Sequence, residues 1–164
     1  CADAAQEVLA SENLSEVQKR EANYKLAKSY LQTKQGKEAF PLLEALAEDT
    51  QSPEGAESKY LKAEILFNQG KNTRAENEIM DFISKNTPHQ YWLAKGFILL
   101  ADIYLANGDQ FQAKHTLMSM IENYPEENDG IIGLAKSKLQ HLEELEKQQQ
   151  EQKPKPMQID PNRN

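Results

Sequence analysis

One pair of small residues recurs along the chain at fixed intervals. Ala27, Ala63 and Ala101 stand 36 and 38 residues apart, and Ala39, Ala75 and Ala113 repeat the same two intervals. Within each unit the two alanines are 12 residues apart. Two positions moving in step mark a repeated supersecondary unit, which buries its apolar face only against its neighbours. Apolar residues surround both positions at helical spacing, as in Phe97, Leu100, Ala101, Tyr104 and Leu105, then Phe111, Ala113, Leu117, Met120 and Ile121. Between the two halves lies a short polar turn: Lys34-Gln35-Gly36-Lys37, Asn68-Gln69-Gly70-Lys71 and Ala106-Asn107-Gly108-Asp109. A glycine after the last periodic residue stops a helix, because it accepts the left-handed backbone. Each unit is therefore expected to be an antiparallel helix pair. The alanines let its two axes approach, and a larger side chain there would cost about 1–3 kcal/mol of overpacking.

The pattern resembles that of the tetratricopeptide repeat family, a large or aromatic residue followed by Leu, a small residue and Tyr, then Ala-x3-Phe and a closing Pro. The third unit carries it best, with Phe97, Leu100, Ala101 and Tyr104, then Ala113 and Leu117, then Pro125. The second reads Lys59, Lys62, Ala63 and Leu66, then Ala75 and Ile79, with Pro88 one place late; the first reads Asn23, Leu26, Ala27 and Tyr30, then Ala39 and Leu43, with no closing Pro. The small positions hold throughout, and the departures fall on the large aromatic and the stop signals. Gly36 comes two residues later in its unit than Gly70 and Gly108 in theirs. The resemblance implies an all-α, right-handed superhelical array of antiparallel helix pairs. Three hairpins are expected over about 14–50, 54–87 and 88–125.

Flanking segments complete the array. In residues 1–12, Ala4, Val8 and Leu9 fit the second helix of a truncated preceding repeat, so the chain reads as a segment of a longer repeat protein. The alternatives for Cys1 are an acylated lipoprotein N-terminus and a terminal residue with no role. Over 129–150, Ile132, Ala135, Leu139, Leu142 and Leu145 form a stripe, with Lys136, Lys138, Glu143, Glu144 and Lys147 facing away. That is the pattern of a capping helix. Residues 151–164, with Lys153-Pro154-Lys155-Pro156 and Asp160-Pro161, read as a disordered tail.

Composition removes several function classes. The net charge is -7, from 19 basic and 26 acidic residues, against a nucleic-acid partner that needs clustered Lys and Arg. No apolar run approaches the ~20 residues that span a bilayer. A single cysteine allows no internal disulfide. His89, His115 and His141 do not combine into metal-ligand spacing, and no phosphate-binding or nucleophile motif is present. Residues 125–136 imitate a calcium loop but place Pro125 and Lys136 where carboxylates are required. The sequence thus points to no enzyme and no cofactor. Asn13-Leu14-Ser15 is a glycosylation sequon that matters only in a eukaryotic secretory setting. Thr87 is the expected N-cap of the helix after Pro88, and Trp92 the expected plug between the second and third units.

The resemblance also implies where a partner sits. In the family the first helix of each unit lines a concave face, which here places Tyr24, Lys28 and Leu31 from the first unit, Tyr60, Glu64, Phe67 and Asn68 from the second, and Ile98 and Asp102 with Lys95 near the rim from the third. Tyr24 and Tyr60 recur at one repeat interval, and exposed aromatics with polar tips suit peptide recognition; the alternative is that both pack between units. Tyr24 and Lys28 occupy positions where some family members hold a terminal carboxylate with Lys and Asn, so that clamp is not supported. The expected function is a protein-protein interaction scaffold or adaptor for another protein or peptide segment. The alternatives are an architectural segment that self-associates through residues 2–10, and an unrecognised helical enzyme. Similarity to long bacterial members sets a periplasmic or outer-membrane-associated setting ahead of the cytoplasm.

Overall fold

The computed structural model describes residues 14–125 and 128–151, and among them finds seven helices and no strand. They are α1 Glu16–Gln32, α2 Gly36–Leu46, α3 Pro53–Asn68, α4 Asn72–Ser84, α5 Gln90–Ala106, α6 Gln110–Asn123 and α7 Ile131–Glu151. The expected helix at 1–12 and nearly all of the expected tail lie outside the described residues.

The helices pair in sequence: α1 with α2, α3 with α4, and α5 with α6, each second helix also packing on the first helix of the next pair. First helices touch one another along the series α1, α3, α5, α7, while no two of the second helices α2, α4 and α6 come into contact. A stack that is tight on one side and open on the other must curve. The first helices form its concave side, and the array is the right-handed tetratricopeptide-type solenoid expected.

The six matched alanines, at 27, 39, 63, 75, 101 and 113, are all at 0% exposure. Each second-helix alanine has its large partner four residues on, and Leu43, Ile79 and Leu117 are likewise sealed. A further small series escaped the sequence reading. Ala22, Ser58 and Gly96 keep the 36- and 38-residue intervals and are buried, and Ala135 follows 39 residues later at 0% exposure. Gly96 lies against Ile79 and Phe82, while Ala135 shares a core cluster with Leu117 and Met120, the equivalents of those two residues one unit on. This register shows that α7 stands where the first helix of a fourth unit would stand.

The hairpin turns close alike. Lys34, Gly70 and Gly108 have positive φ, and each donates its N–H to the carbonyl three residues back (Leu31, Phe67, Leu105). The next residue reaches five back, Gln35 to Tyr30, Lys71 to Leu66 and Asp109 to Tyr104. This is a Schellman closure. Lys34 is the residue 36 before Gly70, so the first turn's left-handed site holds a lysine, and Gly36 instead opens α2. A non-glycine residue in that region costs about 1–2 kcal/mol. Lys34→Gly is therefore expected to stabilise the protein by about 1 kcal/mol, read as a higher midpoint in urea; an unchanged or lower midpoint refutes the equivalence of the three turns.

Three further sequence expectations need correction. Thr87 does not cap α5, which begins two residues beyond Pro88 with His89 at the N-cap position. The Thr87 hydroxyl instead donates to the Thr50 carbonyl at 2.6 Å, and the His89 ring meets the Gln51 carbonyl at 3.0 Å, so the pair clips together the loops that follow α2 and α4. Phe111, assigned to the packed face of α6, is 76% exposed at a hairpin tip, stacked on His115. Asp109, two residues earlier, caps α6, accepting from the Gln112 N–H at 2.9 Å. Lys138 does not face away; it turns inward to an acid on α5.

Candidate functional site

The concave side presents side chains of α1, α3, α5 and α7. From α1, half-buried Tyr24 and Lys28 both reach across to Glu57 on α3, the ammonium approaching the carboxylate to 2.5 Å. Burial and the bond to Glu57 push the Tyr24 hydroxyl well above the ordinary phenol range, so it remains a proton donor. Leu31 packs beside the buried cluster of Ala27, Ala39 and Leu43. Tyr24 and Lys28 thus fasten the first junction through Glu57.

The second junction is different. Tyr60, Glu64, Phe67 and Asn68 of α3 come together with Lys95, Ile98, Leu99 and Asp102 of α5 around an open cavity of about 290 Å³. Seven of the residues expected on the concave face thus meet in one place. Leu134 and Lys138 of α7 complete the wall. Lys138 holds Asp102 at 2.6 Å, and the pair also borders a second hollow, lined by Leu105, Ser137, His141 and Leu142. Sequence reasoning missed Leu134 and Lys138 because it took α7 as an inert cap. The available signal was their i, i+4 spacing beside Ala135.

Tyr60 is not the exposed aromatic expected. It is 6% exposed, its ring lies 5.6 Å from that of Trp92, and its hydroxyl donates to Glu64 at 2.5 Å. Burial first, then that bond, raises the hydroxyl far above its usual range. Trp92 touches Tyr91 edge-on at 5.0 Å and packs against the core cluster of the second hairpin, the plug anticipated at this junction. The Lys95 ammonium stands over both rings, 4.5 Å from the Tyr60 centroid and 5.3 Å from that of Trp92. Aromatic, cationic and apolar surfaces are thereby exposed side by side, with Leu134 46% exposed at the lip.

Among the described residues, no group of three or more His, Cys, Asp or Glu is placed to hold a metal ion, and no helix is long and apolar enough to cross a membrane. The Asp129 side chain accepts the Ile131 N–H and the Tyr124 hydroxyl, so the loop that imitates a calcium site uses its acid to start α7.

The tetratricopeptide repeat family model matches residues 97–127, from the middle of α5 through α6 and the closing proline. No curated protein matches the sequence. The crystal structure of MamA is similar over 92% of this chain and 89% of that one, at 20% sequence identity and a TM-score of 0.58. At that identity the likeness shows the fold. The family's sequence model thus matches within the third hairpin, and the described helices stack in the tetratricopeptide fold.

Proposed function

We propose that the protein is a non-catalytic scaffold that holds a segment of a partner protein on its concave face, in the cavity between α3, α5 and α7. One observation carries this reading. Three helices from three successive units turn side chains toward one open hollow of about 290 Å³, in which Phe67, Ile98 and Leu134 supply apolar area and Lys95 supplies charge. A chain optimised for stability alone gains nothing from exposing such a surface, whereas peptide recognition uses apolar anchors rimmed by polar groups. Tyr24, Lys28 and Leu31 extend the same face onto the first unit, where a longer segment would continue.

The test is selection of peptides from a displayed random library, with binding followed by the fluorescence of Trp92, the only tryptophan. Selected peptides are expected to bind saturably and to lose about tenfold or more in affinity to Leu134→Asp, a change at a half-exposed side chain that leaves the core intact. Met80→Asp on the outer side, also half-exposed, is expected to bind as wild type. Equal loss in both variants, or in neither, refutes the concave cavity as the site.

A further inference from the structure

The first and second junctions are built from equivalent positions with the charges exchanged. Lys28 on α1 corresponds to Glu64 on α3, 36 residues later, and Glu57 on α3 corresponds to Lys95 on α5, 38 residues later. Between the first two hairpins this couple is closed, Lys28 to Glu57, with Tyr24 donating to the same carboxylate. Between the second and third hairpins the equivalent couple is open. Glu64 receives only the Tyr60 hydroxyl, and Lys95 lies over the Tyr60 and Trp92 rings with no carboxylate of a described residue at ion-pair distance. The cavity occupies this opened junction. Its other acid, Asp102, is already matched by Lys138. At the start of α5 the cavity presents the unpaired Lys95 ammonium, across from the Glu64 carboxylate that Tyr60 holds on α3, and it is apolar along Ile98, Phe67 and Leu134. From Lys95 to Asp102 is seven residues, about 10 Å of helix, the length of roughly three extended residues.

From this charge arrangement we infer that the partner segment is acidic-apolar: an Asp or Glu side chain docks on Lys95, and an apolar side chain within the next two or three residues enters between Phe67, Ile98 and Leu134. The inference rests on the concave cavity being the binding site. A carboxylate at Lys95 takes the place that Glu64, held by the Tyr60 hydroxyl, leaves open, and gains a charge-assisted hydrogen bond in a half-buried setting. A basic side chain at the same place meets an uncompensated ammonium. The aromatic floor under Lys95 holds the ammonium at the lip without neutralising it, so it stays available to an incoming anion.

The experiment uses two pools of short peptides, acetylated and amidated so that no terminal charge contributes. Each carries one fixed residue, Glu in one pool and Lys in the other, followed by randomised apolar positions. Binding to the wild-type chain and to Lys95→Glu is read by Trp92 fluorescence and calorimetry, with a circular dichroism melt confirming that the variant is folded. The expected result is about a tenfold preference of the wild type for the Glu pool, inverted in the variant. If peptides bind with a Leu134-dependent affinity that is indifferent to the fixed charge and to Lys95→Glu, the acidic assignment is overturned while the cavity stands. If neither pool binds and display selection also returns no Leu134-dependent peptide, the cavity itself fails and the inference falls with it.

Discussion

Gly55→Ala is expected to destabilise the protein by about 3 kcal/mol or more, the upper end of what overpacking costs. A β-carbon on Gly55 would sit 1.9 Å from the Asp49 carbonyl oxygen, 2.7 Å from its carbon and 2.8 Å from the Leu46 carbonyl oxygen. All three are backbone atoms, so no side chain can swing aside. The first turn of α3 is pressed against the end of α2, with Ser52 capping it through the Gly55 N–H at 3.1 Å. Relief requires moving one hairpin relative to the next. Gly96→Ala supplies the contrast. There the new methyl would meet Ile79 and Phe82 at 3.5–3.7 Å, ordinary contact, in mid-helix. Replacing a helix-interior glycine stabilises by about 1 kcal/mol. Thermal melts of the two variants should move in opposite directions, the first down by roughly 10 °C. A Gly55→Ala protein as stable as wild type would show that the two hairpins do not meet as described.

The second large effect concerns charge inside the stack. Where the family pattern places an aromatic residue and a leucine, the second unit has Lys59 and Lys62, and both are buried, at 5% and 7% exposure. They survive there because α4 and α2 bring acids to them. Lys59 pairs with Glu78 at 2.7 Å and Asp81 at 2.5 Å, and Lys62 with Glu78 at 2.8 Å and Glu44 at 3.2 Å. Burial alone would raise the Glu78 pKa, but hydrogen bonds from both lysines outweigh it and the net shift is downward. The Lys59 hydrogen bond lowers that of Asp81. Burial opposes the charge on Lys62, yet its bonds to Glu78 and Glu44 carry its pKa upward.

The sign of the pH dependence follows from these directions. The carboxylate contribution is complete above the unfolded values, about 4, and is lost as pH falls through the lower folded values. The Lys62 contribution is complete below its unfolded value, about 10.4, and is lost as pH rises through the higher folded one. Stability should be flat between about pH 5 and 10 and fall on either side. Glu78→Ala leaves each lysine a single, more exposed acid, with a loss of about 2–3 kcal/mol at pH 7, below the full cost of stranding a buried charge because Asp81 and Glu44 remain. Its melting temperature should also depend less on pH between 5 and 2 than that of the wild type. An acid flank as steep in Glu78→Ala as in the wild type would contradict the network.

The Lys59 and Lys62 case shows where the sequence was legible and where it was not. The small positions could be read because a buried alanine between two backbones admits almost no substitute, so the same residue type returns each time. Lys59 and Lys62 looked like failures of the pattern, since their compensation lies on another helix, 16 to 22 residues away, and no local period reveals it. In the first unit the left-handed turn residue is Lys34, which the repeat interval marks but residue type hides behind the nearby Gly36. On the concave face, helix register located the α3 and α5 side chains correctly but not their depth. Tyr60 is sunk by Trp92, a residue of the neighbouring unit. Lys138 was hidden because a lysine on a terminal helix was assigned to solvent, while the acid that draws it in, Asp102, sits 36 residues earlier.

The claim on which the functional account rests is that partners lie against α3, α5 and α7. Backbone amide chemical shifts of isotope-labelled protein, followed during titration with a peptide chosen by display selection, test it directly. The largest changes are expected at Phe67, Lys95, Ile98 and Leu134, with the Trp92 indole shifting in step. Changes confined to α2, α4 and α6, around Met80, Phe111 and Met118, would contradict it.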